Sequence, residues 1–168
     1  MHSKGFNWCR MGWKRIVVFQ THDPIYRPQF EMTIKAMQQA KANLLLHPVV
    51  GMTKPGDFDH YTRVRCYQAV SRHYPPNSFL INLLPLAMRM AGPKEVLLHM
   101  LISKNYGCSH FIVGHDHANP GSDHNGCAFY DGDASRSIAE EFGSEIGVTP
   151  LNFEEMVYLP FEDEYVPI

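Results

Sequence analysis

Short apolar runs alternate with amphipathic stretches along this chain. Ile16-Val17-Val18-Phe19 is continuous, apolar and rich in β-branched side chains, the pattern of a strand buried on both faces. Leu44-Leu45-Leu46 repeats it, followed by Phe79-Leu80-Ile81 with Leu83-Leu84 (ended by Pro85) and by Phe111-Ile112-Val113. A last strand is expected within 151–159. Between these runs the apolar positions fall at helical spacing. A helix is predicted over 30–43, with Met32, Ala36, Met37 and Ala40 on one side, after Pro24 and Pro28 break the chain. A second runs from a cap at Asp59 to about residue 72. A third covers 91–104, with Pro93 in its first turn and Gly107 as its stop. A fourth covers 135–142, and 49–59, with Gly51, Pro55, Gly56 and Asp57, is loop-like.

Strands alternating with helices predict an α/β, Rossmann-like fold: a mostly parallel sheet with helices on both faces. Such sheets bind ligands beyond the carboxyl ends of the strands, where the strand order reverses. In the order 3-2-1-4-5, strands one and four flank that point. The segments to read for chemistry are therefore 20–29 and 114–126.

Composition narrows the class. The chain has 168 residues, 45% hydrophobic and 19% charged, a globular composition expected to form a single domain over 1–168. A net charge of −2 supplies no basic excess for nucleic acid. No apolar run reaches the roughly 18 residues of a membrane span. The polar N-terminus does not read as a signal peptide, so a cytoplasmic chain is expected. Cys9, Cys66, Cys108 and Cys127 form no CxxC pair and read as reduced thiols. Ten histidines are many for this length.

Several stretches are collinear with one known family. They are Gly12-Trp13-Lys14-Arg15 to Phe19-Gln20-Thr21, then Leu45-Leu46-His47-Pro48-Val49-Val50-Gly51-Met52-Thr53-Lys54, then Arg63-Val64-Arg65-Cys66-Tyr67. Leu84-Pro85-Leu86-Ala87-Met88-Arg89-Met90-Ala91-Gly92-Pro93 comes next, then Lys104 to Gly114 and Met156-Val157-Tyr158-Leu159. Over about 12–167 the chain resembles the catalytic domain of ATP sulfurylase, and no counterpart of that family's separate N-terminal domain is expected within it. The resemblance implies a nucleotidyltransferase fold and adenylyl transfer, in which an oxyanion joins the α-phosphate of ATP and pyrophosphate leaves.

Two family motifs carry that chemistry by resemblance: Gln-Thr-Arg-Asn-Pro with His-x-x-His after strand one, and Gly-Arg-Asp-His-Ala-Gly after strand four. Here the first reads Gln20-Thr21-His22-Asp23-Pro24, with Tyr26 and Gln29 at the two histidine positions and Arg27 retained. The second reads Gly114-His115-Asp116-His117-Ala118-Asn119. Both leading arginines are histidines, and an amide has become Asp23. Arginine forks are strong oxyanion donors, and a neutral imidazole is a weaker one. The resemblance thus implies a remodelled site at Gln20, His22, Asp23, His115, Asp116 and His117, with Arg27, Val50, Gly114, Ala118 and Val157 on the nucleotide.

Two other readings remain open from the residues. His22, His115, His117 and Asp23 exchange anion donors for cation ligands, a set that suits a transition metal such as zinc, iron, nickel or copper in a metal-dependent enzyme. Alternatively the fold persists as a catalytically inactive binding module. A small-molecule substrate is expected, with no nucleic-acid or membrane partner, and a homo-oligomer is a further expectation. His110 reads as structural, His47 as organising the Pro48 loop, and His124 as solvated. His2, His60, His73 and His99 read as surface or packing residues, Arg63 and Arg65 as holding acidic groups, and Glu154, Glu155 and 162–164 as a solvated acidic face.

Overall fold

The computed structural model describes residues 8–51, 59–115, 117–154 and 156–167. Five parallel strands form the central sheet: β1 (Ile16–Thr21), β2 (Asn43–Pro48), β3 (Phe79–Ile81), β4 (His110–Val113) and β5 (Thr149–Asn152), in the order β3-β2-β1-β4-β5. This is the 3-2-1-4-5 order expected from the sequence. Four helices cover it: α1 (Arg27–Ala40), α2 (His60–Val70), α3 (Pro93–Asn105) and α4 (Ala134–Ile146). An antiparallel hairpin, β6 (Met156–Leu159) and β7 (Glu164–Pro167), lies outside the main sheet.

Alternation along the strands divides the core in two. Val17, Leu44, Ile112 and Leu151 pack with Ala36, Met37 and Ala40 of α1 and with Tyr74. Ile16, Val18, Leu45, Phe111 and Val113 pack with Val96 and Met100 of α3, Ala139 and Ile146 of α4, and the stacked pair Trp8 and Trp13. Strands buried on both faces explain the unbroken apolar runs. Truncating a fully buried side chain such as Phe111 to alanine costs about 3–5 kcal/mol.

Several boundaries differ from the sequence reading. Helix α3 starts at Pro93 rather than 91, and β3 covers only Phe79–Ile81 of its apolar run. Helix α1 begins at Arg27 rather than 30, because Pro28 sits in its first turn, where a missing N–H costs nothing. It ends at Ala40, where Lys41 takes a left-handed conformation. Helix α4 runs on to Ile146 and stops at Gly147, φ 80°. The last apolar stretch is two strands: Pro150 and Leu151 join the main sheet through β5, and β6 belongs to the hairpin. Asp59 does cap α2, accepting the N–H of Thr62 at 3.0 Å. The expected loop over 49–59 is described only at 49–51 and 59.

The turns at the carboxyl ends of the strands are held by backbone contacts. Gly51 donates its N–H to the Leu86 carbonyl at 2.9 Å, and Val50 donates to Leu84 at 3.0 Å. A Cβ on Gly51 would collide with the Leu86 backbone, so only glycine permits this approach.

Candidate active site

The turns after β1 and β4 converge at the carboxyl edge of the sheet. Thr21 Oγ1 accepts the Asp23 N–H at 3.0 Å, closing a tight turn over 21–23. Helix α2 fixes that turn from below. Arg63, 2% exposed, donates to the carbonyls of His22 at 2.7 Å and Val49 at 3.0 Å. Tyr67, also buried, donates its hydroxyl to the Asp23 carbonyl at 2.8 Å. Among the described residues Arg63 therefore holds two backbone oxygens and no acidic group, where the sequence suggested an acidic partner, and Arg65 is exposed.

The β4 turn is anchored in the same way. Ser135 of α4 donates to the His117 carbonyl at 2.8 Å, and Gly92 donates its N–H to the Ala118 carbonyl at 2.8 Å. Ala118 is buried with φ 58°, a conformation that costs a non-glycine residue on the order of 1 kcal/mol. Asp116 lies outside the described residues.

His22 and His115, both expected in the site from the sequence, each meet a carboxylate. His22 Nε2 lies 3.4 Å from Asp23. His115 Nδ1 lies 3.3 Å from Asp133, which also takes Arg136 at 3.2 Å. Arg136 in turn donates to the Phe153 carbonyl, tying α4 to the chain after β5. The His115 ring lies where a Cβ on Gly132 would stand. These pairs are well exposed, and screening keeps such pairs weak.

An open cleft of about 390 Å³ lies beside the β4 turn. Pro28, Gln29 and Met32 of α1 form one wall; Gly114, His115, Phe153, Glu154, Met156 and Val157 complete it. Of the expected nucleotide residues, Gly114 and Val157 line this cleft. Val50 stands in the loop after β2 and Ala118 beneath the β4 turn. Arg27 is turned the other way: its guanidinium holds Asp163 of the β6–β7 turn at 3.0 Å and lies over the Tyr165 ring at 5.6 Å. The Asp163 carboxylate, held by Tyr158 and Arg27, lies below the usual carboxylate range. Asp163 is thus a clamp and Glu154 a cleft residue, where the sequence suggested only a solvated acidic face.

Beneath the crevice, on the α3 side, lies a cluster the sequence reading did not assemble. Gln20 is buried and donates to Ser103 Oγ at 3.4 Å, and its carbonyl oxygen has no partner among the described residues. Neighbouring His47 is fully buried against the Tyr106 ring, and burial pushes its imidazole down to about 4. His99, read as a surface or packing residue, is fully buried and meets His117: Nδ1 to Nε2 is 2.8 Å. Its sequence signal was Glu95, four residues earlier on the same helix. Burial, with His99 and His22 nearby, pushes His117 down to about 3. His124 lies exposed, in a loop ordered by Asp123, which accepts the N–H groups of Asn125 and Cys127.

Among the described residues, no three His, Cys, Asp or Glu side chains are grouped to hold a metal ion. The expected set of His22, His115, His117 and Asp23 is dispersed into separate His–Asp pairs and the His99–His117 contact. All four cysteines are free, and burial pushes the Cys108 thiol up to about 12, leaving it unreactive. Among the described residues no helix is long and apolar enough to cross a membrane.

Sheet order and helices together define a Rossmann-like α/β domain whose strand order reverses between β1 and β4. The chain belongs to the ATP-sulfurylase family, whose pattern it matches over residues 6–167. It is 52% identical over 159 residues to the sulfate adenylyltransferase of Schizosaccharomyces pombe, covering 95% of this chain and 32% of that protein. The enzyme of the same name from Mycosarcoma maydis is 48% identical over 162 residues, 96% of this chain and 28% of its own. The chain therefore spans about a third or less of the curated relatives it matches. A solved structure, a hexameric APS kinase from Thiobacillus denitrificans, superposes with a TM-score of 0.73 at 30% identity, over 95% of this chain and 28% of that one.

Proposed function

We propose that this domain carries out adenylyl transfer of the ATP-sulfurylase type at a remodelled anion site. An oxyanion oxygen attacks the α-phosphorus of ATP, a new P–O bond forms, and the α–β anhydride breaks with pyrophosphate leaving. The carrying observation is that β1 and β4 are neighbouring parallel strands, so their turns leave the same edge of the sheet, with Gly114, His115 and Val157 of the β4 side open to one cleft that the β1 turn does not line. In this reading Gln20 and His22 take the acceptor anion, while the 114–118 turn, Val50 and Val157 take the nucleotide. Arg27 acts by holding the hairpin that carries Val157. His22 and His115 donate to anions more weakly than the arginines they replace, and Asp23 and Asp133 compete for them. Turnover of sulfate is accordingly slow, or another tetrahedral oxyanion is preferred. The test is pyrophosphate release from ATP by the purified chain with sulfate and with other tetrahedral oxyanions. Release that depends on one of them supports the reading, and none with any overturns it.

The metal-dependent reading gains no support from the site, since its four residues do not form a cage among the described residues. The inactive-module reading predicts neither nucleotide binding nor turnover. Self-association is proposed by analogy with the hexameric relative, and light scattering decides it; a cytoplasmic location stands as the corresponding proposal for the compartment.

A further inference from the structure

Glu95 is 4% exposed, and both of its carboxylate oxygens accept hydrogen bonds, from the N–H of Arg89 at 2.7 Å and of Ala91 at 2.8 Å. It faces the rest of its surroundings as an acceptor. One turn along α3, His99 Nε2 lies 3.5 Å from Glu95 Oε1. The other nitrogen of His99, Nδ1, lies 2.8 Å from His117 Nε2. Two imidazole nitrogens at that distance share one hydrogen, so one ring donates and the other accepts. Burial disfavours the charged form of both rings, more strongly than Glu95 favours it on His99.

With both rings neutral, the carboxylate decides the direction through its charge, since among the described residues His99 Nε2 makes no hydrogen bond. The His99 proton is stabilised on Nε2, beside Oε1, which leaves its Nδ1 as a lone pair. His117 then donates from Nε2 and keeps its own lone pair on Nδ1. Among the described residues that atom has no hydrogen-bond partner. The ring is held in plane by the edge of Phe111, 5.4 Å between centroids at 68°, and its backbone by Ser135 and, one residue on, Gly92.

We propose that Glu95 and His99 are positioning residues that set the tautomer of His117, so that His117 offers the crevice a hydrogen-bond acceptor at Nδ1. A lone pair repels phosphate and sulfate oxygens and pairs with an N–H or O–H donor. The ligand group that meets it is therefore an exocyclic amine or a sugar hydroxyl, and not the anion. That ligand class rests on the nucleotide reading above, whereas the tautomer does not.

Long-range ¹H–¹⁵N correlation spectra of the chain labelled in histidine decide the matter at pH 7, with His99→Gln and His117→Gln variants supplying the assignments. Both rings are expected as neutral Nε2–H tautomers. An Nδ1–H tautomer of His117, or a charged ring at either position, overturns the proposal. Glu95→Gln is expected to move His117 towards the Nδ1–H form with an unchanged circular dichroism spectrum. A folded Glu95→Gln protein with the wild-type tautomer overturns the role of Glu95; if the variant does not fold, the wild-type spectrum alone decides the tautomer. Adenosine is expected to shift the His117 Nδ1 resonance and pyrophosphate to leave it in place. The reverse pattern overturns the acceptor role. Tautomers as assigned, with no binding of ATP or adenosine, uphold the positioning network and defeat the nucleotide reading instead.

Discussion

His115 and His117 stand two residues apart in the turn after β4, and their surroundings assign them opposite chemistry. His115 is 41% exposed and turns Nδ1 towards the Asp133 carboxylate. His117 is tucked against Phe111 and His99, and burial keeps it neutral. The β1 turn repeats the first arrangement, with His22 beside Asp23 at the rim. The crevice therefore has an exchangeable rim and a fixed shelf. At the rim, loop-tip side chains are the proposed anion donors and, being exposed, contribute little to stability. On the shelf, α2 and α3 hold the turns through Arg63, Tyr67 and His99, and changes there are felt by the whole fold.

The largest effect is expected at the rim. Replacing His22→Arg, Asp23→Asn and His115→Arg together adds two charged donors and removes a competing carboxylate. At about 1.5–3 kcal/mol for each charged hydrogen bond, sulfate-dependent pyrophosphate release should rise by roughly 10²–10⁴-fold. A continuous pyrophosphate assay reads this, and an unchanged rate would show that the rim does not limit turnover.

The shelf predicts a steep acid sensitivity. His47 and His117, pushed down to about 4 and about 3, stay neutral in the fold but take protons in the unfolded chain near the ordinary value of 6.5. Unfolding thus binds protons, and stability present above pH 6.5 is lost as the pH falls towards 3–4. His47 alone accounts for on the order of 3 kcal/mol of that loss. Urea midpoints between pH 7 and pH 4 should fall accordingly, and His47→Leu should flatten the profile. A midpoint independent of pH would mean that these imidazoles are not desolvated.

Arg63→Met tests the tie between shelf and rim. It leaves the His22 and Val49 carbonyls without their donor and should cost about 2–3 kcal/mol, with Tyr67→Phe costing about 1 kcal/mol. Urea unfolding at pH 7 measures both. The smallest effect belongs to Asp133→Asn, whose own carboxylate is exposed. Its unfolding free energy should move by less than about 1 kcal/mol, while sulfate protection against heat improves. A large destabilisation would move Asp133 from rim to shelf.

Much of this division was legible in the sequence. The β-branched run at Ile16-Val17-Val18 and the triple leucine at 44–46 marked doubly buried strands, and their alternation with helices led to the strand order and hence to the two converging turns. What the sequence hid was the third dimension of the polar residues. Arg63 looked like a partner for acids because side-chain chemistry was visible and the nearby carbonyls were not. His99 looked idle because its partner, His117, lies 18 residues away and meets it only through packing of α3 against the β4 turn. Pro28 looked like a break because proline fits the first turn of a helix and a loop equally well, and its own identity does not separate the two. The resemblance drew attention to His22 and His115, but that each would meet an aspartate, one adjacent and one 18 residues on, was visible only for Asp23.

The central claim is that the crevice binds a nucleotide beside a weakened anion site. Calorimetric titration of the purified chain with ATP tests it most directly. Saturable one-to-one binding, lost when Val157→Asp places a charge in the cleft, is the result expected. No ATP binding, together with stoichiometric transition metal in the same preparation, would contradict it.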